Sequence, residues 1–306
     1  MTEDENTEIK NNDDKLLGYL KEYTSALNNY STIKQMVIKN HISHYHVLDE
    51  MLGFQYYLNR KFVEFYNSIK VPTELKKYMP ELSTHLLFFY NTQSLQSALN
   101  DIECDRIHQS AVNIRTVYES IPKMYYISLF PEETGFIMVH EHLAEMRFPK
   151  AVQELKKEEC LAYLDGQELK FESKSAFYDF KRKYTPNAFR KKLYSQKRQE
   201  SLQKLYSKFS NSTHPNITRN KTSVSYEPKD TELFFEFLKT MSYFNIQAYF
   251  EGNTELLFRI GIHQEIIEFL NAKAKQLQTF YEDVYFFPDN EDLDRKLKTS
   301  VETRID

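Results

Sequence analysis

Residues 82–99, with the sequence LSTHLLFFYNTQSLQSAL, form the most strongly apolar helical stretch of the chain. Five consecutive large side chains, LLFFY at 86–90, cover every face of a helix rather than a single stripe. A helix of this kind cannot present one polar face to water along its whole length. The stretch therefore predicts a helix that is buried on several sides by other parts of the chain.

The segments on both sides of this stretch also have a helical period. Upstream, an amphipathic pattern runs from residue 16 to about 69 and is broken at Pro72, which predicts one long helix or a helical hairpin. Downstream, apolar positions recur at helical spacing over 105–121, and Pro122 either kinks or ends that helix. Further helices are predicted at the following positions: 124–130, 132–146, 150–164, 174–184, 186–209, 231–251 and 254–286.

Turn signals are few. The chain of 306 residues has only six Gly and nine Pro, which favours long helices over a sheet. Asp165-Gly166 is the clearest turn, and a short hairpin around it is the minor alternative. The predicted fold class is all-α, a multi-helix bundle of nine or ten helices. The predicted boundaries are a disordered tail at 1–12, a long helix or hairpin at 13–80, a helical domain at 81–287 and a disordered tail at 288–306.

Composition and charge exclude several classes of protein. The formal net charge is −4, which predicts no overall attraction to nucleic acid, and no apolar run is long enough to span a membrane. The acidic N-terminus lacks the apolar core of a signal peptide, so a cytoplasmic location is expected. Cys104 and Cys160 are predicted to be free thiols. No metal or other cofactor is expected, because the histidines are not spaced as ligands.

One segment of the chain is strongly basic, although the net charge of the whole chain is negative. We call residues 181–208 the basic segment, since it contains ten cationic side chains and one acid, Glu200. Interleaved aromatic residues suit stacking on unpaired bases, while the alternative is a solvated helix face whose rings point into the core. The candidate nucleic-acid-binding residues are Lys181, Arg182, Lys183, Arg190, Lys191, Lys192, Lys197, Arg198 and Lys204.

The basic segment is followed closely by a histidine. The helix pattern ends near Phe209, and His214 is followed at once by a proline. An imidazole can remove a proton from a ribose 2′-hydroxyl, and Lys208 beside it would hold the phosphate, with Asn211 orienting either group. The alternative is a histidine that only fixes the end of a helix.

Two stretches resemble HEPN-type helical domains, a superfamily of nucleotide-binding domains in higher eukaryotes and prokaryotes. The first, YSKFSNSTHP at 206–215, is similar to a helix end at which many members carry Ser and then His-Pro. The second, NIRTVYE at 113–119, is similar to an Arg-x-x-x-Glu helix of prokaryotic members, with Arg115 and Glu119 in the matching positions. The resemblance covers roughly residues 83–285.

The resemblance implies a homodimer with two facing sites, and a ribonuclease, toxin or antiviral setting. Catalytic members carry an Arg where this chain has Lys208, and Lys lacks the bidentate fork of Arg. This departure favours a module that binds RNA, a protein partner or an antitoxin through the basic segment. The alternative is a metal-independent endoribonuclease with His214 as base, in which Arg115, Lys208 and Asn211 surround the phosphate and Glu119 supports Arg115.

Overall fold

A computed structural model of the protein describes residues 21, 31–32, 34–68, 79–104, 106–213, 228–277 and 288–290, with the backbone alone at 205, 208–213 and 228–230. Helices dominate these residues, and none of them lies in a strand, so the all-α prediction is confirmed. We number the α-helices α1 Ile42–Ser68, α2 Met79–Glu103, α3 Ile107–Leu129, α4 Thr134–His142, α5 Phe148–Glu154, α6 Glu158–Leu164, α7 Lys174–Lys183, α8 Pro186–Leu193, α9 Gln196–Thr213, α10 Pro228–Arg259 and α11 His263–Leu277.

Helix α3 lies at the centre of the bundle. It packs along α2, α8, α9 and α10, while α1 covers α2 and α10, and α11 lies on α10. The apolar positions that set the helical period of α3, such as Ile114, Val117 and Ile121, are fully buried. Pro122 neither ends nor divides the helix, although it provides no N–H to the carbonyl four residues earlier. Burial of the following Met124, Tyr125 and Tyr126 offsets that lost hydrogen bond.

Helix α2 is buried on several sides, as its sequence predicts, but its burial does not follow hydrophobicity alone. Phe88, Leu95 and Leu99 are in the core, whereas Leu86 and Tyr90 remain 42% and 60% exposed. Polar residues take some of the interior positions instead. Asn91 Nδ2 donates to Asn245 Oδ1 of α10 at 2.8 Å, and Asn245 Nδ2 donates to Gln55 Oε1 of α1 at 2.7 Å. These amides link three helices inside the core.

The predicted N-terminal helix is helical in its described part. Helical backbone at 34–40 is separated from α1 by a turn at His41, so the pattern is interrupted once. His41 is buried, and its ring stacks on Phe235 of α10 at a centroid distance of 5.2 Å. The break predicted around Pro72 lies outside the described residues.

The boundary predicted at Gly252 is confirmed, but the helix predicted after it is divided once more. The helical run α10 has a kink with non-helical dihedrals at Asn253, one residue after Gly252. A Cβ at Gly252 would lie 2.7 Å from both Ser128 Oγ and Thr84 Cγ2. Gly252 thus permits a close approach of α10 to α2 and α3. A second break, which the sequence did not predict, lies at Gly261, which has a φ of +77°.

A small second core lies beside the main bundle and contains α4 to α7. Residues 150–164, predicted as one helix, form two short helices with a turn at 155–157 between them. The turn at Asp165-Gly166 is confirmed, since both residues have positive φ, at 47° and 87°. Leu143, Leu155, Leu164 and Phe177 are among the buried side chains of this core.

The helix predicted over 186–209 is divided at Tyr194 and Ser195. Residues 288–290, predicted to belong to a disordered tail, are packed at this break. Ser195 donates from its N–H and from its hydroxyl to Asp289, each at 2.8 Å. Asn290 Nδ2 donates to the Lys192 carbonyl at 2.8 Å. Asp289, which is distant in sequence, thus caps the start of α9. No pattern in the sequence near Ser195 predicts this contact.

Candidate nucleic-acid interface

The basic segment forms the end of α7, all of α8 and most of α9. Ser173 and Thr185 cap the starts of α7 and α8, accepting from Ala176 N–H at 3.1 Å and Ala188 N–H at 3.2 Å. Pro186 occupies the first turn of α8, as predicted from its fixed φ. The cations of the segment are therefore carried on two short helices and the longer α9, at whose start Arg198 N–H donates to Ser195 Oγ.

Several of these cations are engaged within the protein. Lys181 Nζ donates to the Ala144 carbonyl, and Arg182 pairs with Asp179 on the surface. Lys183 pairs with Glu133 at 3.3 Å, and Arg198 contacts Asp289 at 3.4 Å. Much of the charge excess thus connects α7 and α9 to neighbouring segments.

Lys192 belongs to a buried polar chain at the base of α8. Its Nζ lies 2.5 Å from Tyr126 Oη, and that hydroxyl donates to Glu133 Oε2 at 2.7 Å. Burial alone would raise the pKa of Glu133, but the hydrogen bond from Tyr126 and the ammonium groups of Lys192 and Lys183 outweigh it, so the pKa is lowered. Burial and the Glu133 carboxylate raise the pKa of Tyr126. Glu133 is thus held as an anion that keeps these two lysines in place.

Three lysines of the segment remain directed to solvent. Lys191, Lys197 and Lys204 are exposed, and no acid among the described residues pairs with them. Lys197 and Lys204 are seven residues apart on one face of α9, which corresponds to about 10 Å of helix rise. These three ammonium groups are available to an external anion without breaking a described contact.

The interleaved aromatic rings do not form a stacking surface. Tyr184, Phe189 and Tyr194 are at most 3% exposed, so the alternative in which the rings point into the core is the correct one for them. Burial raises the pKa of Tyr194 far above its ordinary value. Tyr206 is the exception, since it is only partly buried. Stacking of bases on the three buried rings is excluded in this conformation.

Arg115 and Glu119 meet Tyr206 where α3 packs against α9. Arg115 Nε donates to Glu119 Oε1 at 2.9 Å, and its guanidinium carbon lies 4.9 Å from the Tyr206 ring centroid. That hydrogen bond raises the pKa of Arg115. Arg190 lies 5.5 Å from the same centroid. Two guanidinium groups therefore hold Tyr206, which favours a positioning role for Arg115.

Tyr118 completes this contact between α3 and α9. Its hydroxyl donates to the Leu202 carbonyl at 2.7 Å, and Arg190 lies 5.4 Å from its ring centroid. Burial raises the pKa of Tyr118 to about 12, against the opposing effect of Arg190. The residue carries no charge near neutral pH and acts as a link between helices.

The remaining candidate residues are only partly described. Lys208 and Asn211 lie in the last turns of α9, which extends to Thr213 rather than ending near Phe209, but their side chains are outside the described part. His214 and the residues after it, up to 227, also lie outside the described part. The convergence of His214, Lys208 and Arg115 stays a prediction.

Other histidines and acids form no described metal centre. Within the described ranges, no group of three or more His, Cys, Asp and Glu side chains is arranged to hold an ion. His44 Nδ1 lies 3.0 Å from Glu236 Oε1, and His142 Nε2 lies 3.2 Å from Glu154 Oε1. None of the described helices has the length and apolarity to cross a bilayer.

Sequence reasoning missed two polar residues that lie inside the protein, His85 and Lys123. His85 lies against Tyr249 within the main core, with Nδ1 3.3 Å from the phenol oxygen. Lys123 lines a cavity between α2, α3 and α4. Each is followed by large apolar or aromatic side chains three and four residues later, and this is the only local signal of their burial.

Comparison with known proteins adds no further constraint. No family model, no curated protein and no solved structure matches the chain. The resemblance to HEPN domains thus stays a prediction that depends on the two short motifs alone.

Proposed function

We propose that the protein binds RNA through its phosphate backbone, using the exposed cations of the basic segment. The observation that supports this most is the set Lys191, Lys197 and Lys204, which are exposed and have no acidic partner in the described part of the chain. Arg182 adds a further cation, because its surface pair with Asp179 exchanges readily with another anion. Exposed cations are sufficient to contact the phosphates of RNA. Base stacking is not part of the proposal, because the aromatic rings that would stack on bases are buried.

Binding of a short labelled single-stranded RNA tests the proposal. The triple variant Lys191→Ala, Lys197→Ala, Lys204→Ala is expected to bind more weakly, and uniformly so across RNA sequences, because phosphate contacts carry no sequence information. The matched control replaces Lys39, Lys156 and Lys275 by Ala, which removes the same charge at exposed sites elsewhere. Equal affinity of the two triple variants contradicts the proposal and leaves a protein partner as the function to test.

A second candidate, a metal-independent endoribonuclease, rests on the packing of α3 on α9. This contact brings Arg115 to Tyr206, two residues before Lys208 and within the helix that ends just before His214. In this proposal His214 takes the 2′-hydroxyl proton, Lys208 and Asn211 hold the phosphate, and two copies of the chain face each other.

Incubation of purified protein with end-labelled RNA in the presence of a chelator tests the nuclease proposal. The wild type is expected to cleave and His214→Ala to lose cleavage by at least about a hundredfold, the size of a general-base contribution. RNA affinity is measured on the same samples. Cleavage that persists in the variant removes His214 from the mechanism, while unchanged affinity with no cleavage in either protein leaves the binding proposal intact.

A further inference from the structure

A separate cavity lies between α2, α3 and α4, away from the basic segment. Its volume is about 220 Å³, and Leu87, Ile127, Ile137 and Met138 supply its apolar walls. Ligand sites for drug-sized molecules measure roughly 300–1,000 Å³, so this cavity suits only a small compound.

Two charged side chains, Lys123 and Glu141, also line the cavity, and Lys123 is the more deeply buried of the two. It is 12% exposed, and burial lowers its pKa to about 8. Glu141, which is half exposed at the same cavity, contacts the ammonium group. Burial thus makes the free amine of Lys123 more accessible near neutral pH than that of an exposed lysine, next to a carboxylate that can accept or return a proton.

We propose that this cavity binds a small apolar aldehyde, which Lys123 captures as an imine. The apolar walls hold the hydrocarbon chain. Glu141 accepts a proton from the ammonium group, and the Nζ lone pair attacks the carbonyl carbon. The carbinolamine oxygen then takes up protons and leaves as water, while the C=N bond forms. No oxidant, reductant or metal is required for this condensation.

Reductive trapping on the full-length protein tests the proposal. Butanal and cyanoborohydride are added at neutral pH, and adducts are located by mass spectrometry of the digested protein. Lys123 is expected to be labelled at least about tenfold faster than the exposed Lys39, Lys156 and Lys275, because an ordinary lysine has far less free amine at this pH. Labelling of Lys123 no faster than the exposed lysines overturns the proposal.

A further measurement separates binding in the cavity from simple amine reactivity. Pyrene-1-carboxaldehyde, too large for the cavity, is expected to label the exposed lysines but not Lys123. Equal labelling of Lys123 by both aldehydes excludes the cavity as the site.

Discussion

His85 lies in the interior of the bundle, with its ring stacked on Phe62 at a centroid distance of 3.6 Å and its Nδ1 near the Tyr249 hydroxyl. Burial lowers the pKa of His85 to about 3. The ring is therefore neutral in the folded protein at pH values well above 3. It acts as a flat aromatic spacer with one polar contact, between α1, α2 and α10.

The stability of the protein is expected to fall in mild acid because of His85. Its pKa is about 3 when folded and about 6.5 when unfolded, so only the unfolded chain takes up this proton as pH falls through that window. The free energy of unfolding then decreases with falling pH by up to about 1.4 kcal/mol per unit. Denaturant melts of wild type and His85→Gln between pH 7 and pH 4 measure the slope.

The variant His85→Gln keeps a polar group for Tyr249 but cannot titrate, so its slope is expected to be smaller. His46→Gln, at an exposed position on α1, controls for the loss of one histidine. A variant slope equal to that of the wild type between pH 6.5 and pH 4 would show that His85 is not responsible.

At the scale of helices, α10 packs closely against α2 and α3 because a glycine lies at the contact. Gly252 leaves no room for a side chain, since a Cβ would lie 2.7 Å from atoms of Ser128 and Thr84. Gly53, on the exposed side of α1, has no atom within 4 Å of a Cβ position. A side chain would therefore clash at Gly252, whereas it would be tolerated at Gly53.

Replacement by alanine distinguishes the two glycines. Gly252→Ala is expected to destabilise the protein by about 1–3 kcal/mol, because α10 must move away from its neighbours. Gly53→Ala is expected to stabilise it by about 0.5–1 kcal/mol through helix propensity. Urea unfolding of both variants provides the comparison, and a neutral Gly252→Ala would mean that the helices are not closely packed there.

The break between α8 and α9 is also an element-scale feature, held by Asp289. This carboxylate accepts from Ser195 twice and contacts Arg198. Asp289→Ala is expected to cost about 1.5–3 kcal/mol, as for hydrogen bonds to a charged group. Asp179→Ala, which removes only an exposed pair with Arg182, is expected to cost less than about 1 kcal/mol. Equal melting temperatures of the two variants would contradict the capping role.

At the scale of the whole molecule, charge is distributed unevenly. The chain has a formal net charge of −4, while the basic segment carries ten cations and a single acid. A polyanion is therefore attracted to the surface formed by α7, α8 and α9. The remaining surface carries a net negative charge and repels the polyanion. Such an arrangement favours one orientation on RNA over uniform coating.

RNA affinity is accordingly expected to depend steeply on salt. For single strands, the slope of log K against log salt is about −0.7 for each phosphate neutralised. The triple variant at Lys191, Lys197 and Lys204 is expected to reduce the slope by about 2, while the control triple variant leaves it unchanged. Titrations at a series of salt concentrations measure both, and a salt-independent affinity would contradict phosphate contact.

The sequence by itself determined the fold class and most of the helices, because a 3.6-residue apolar period and the scarcity of Gly and Pro are local properties of the chain. It also located the basic segment, since charge is read directly from residue types. The tertiary structure alone decided which of those cations are free, because Asp289 and Glu133 reach them from distant positions. It likewise placed His85 and Lys123 inside, and added a turn at Gly261 within the stretch predicted as the last helix. Burial and close approach depend on which helices pack together, and no single helix contains that information.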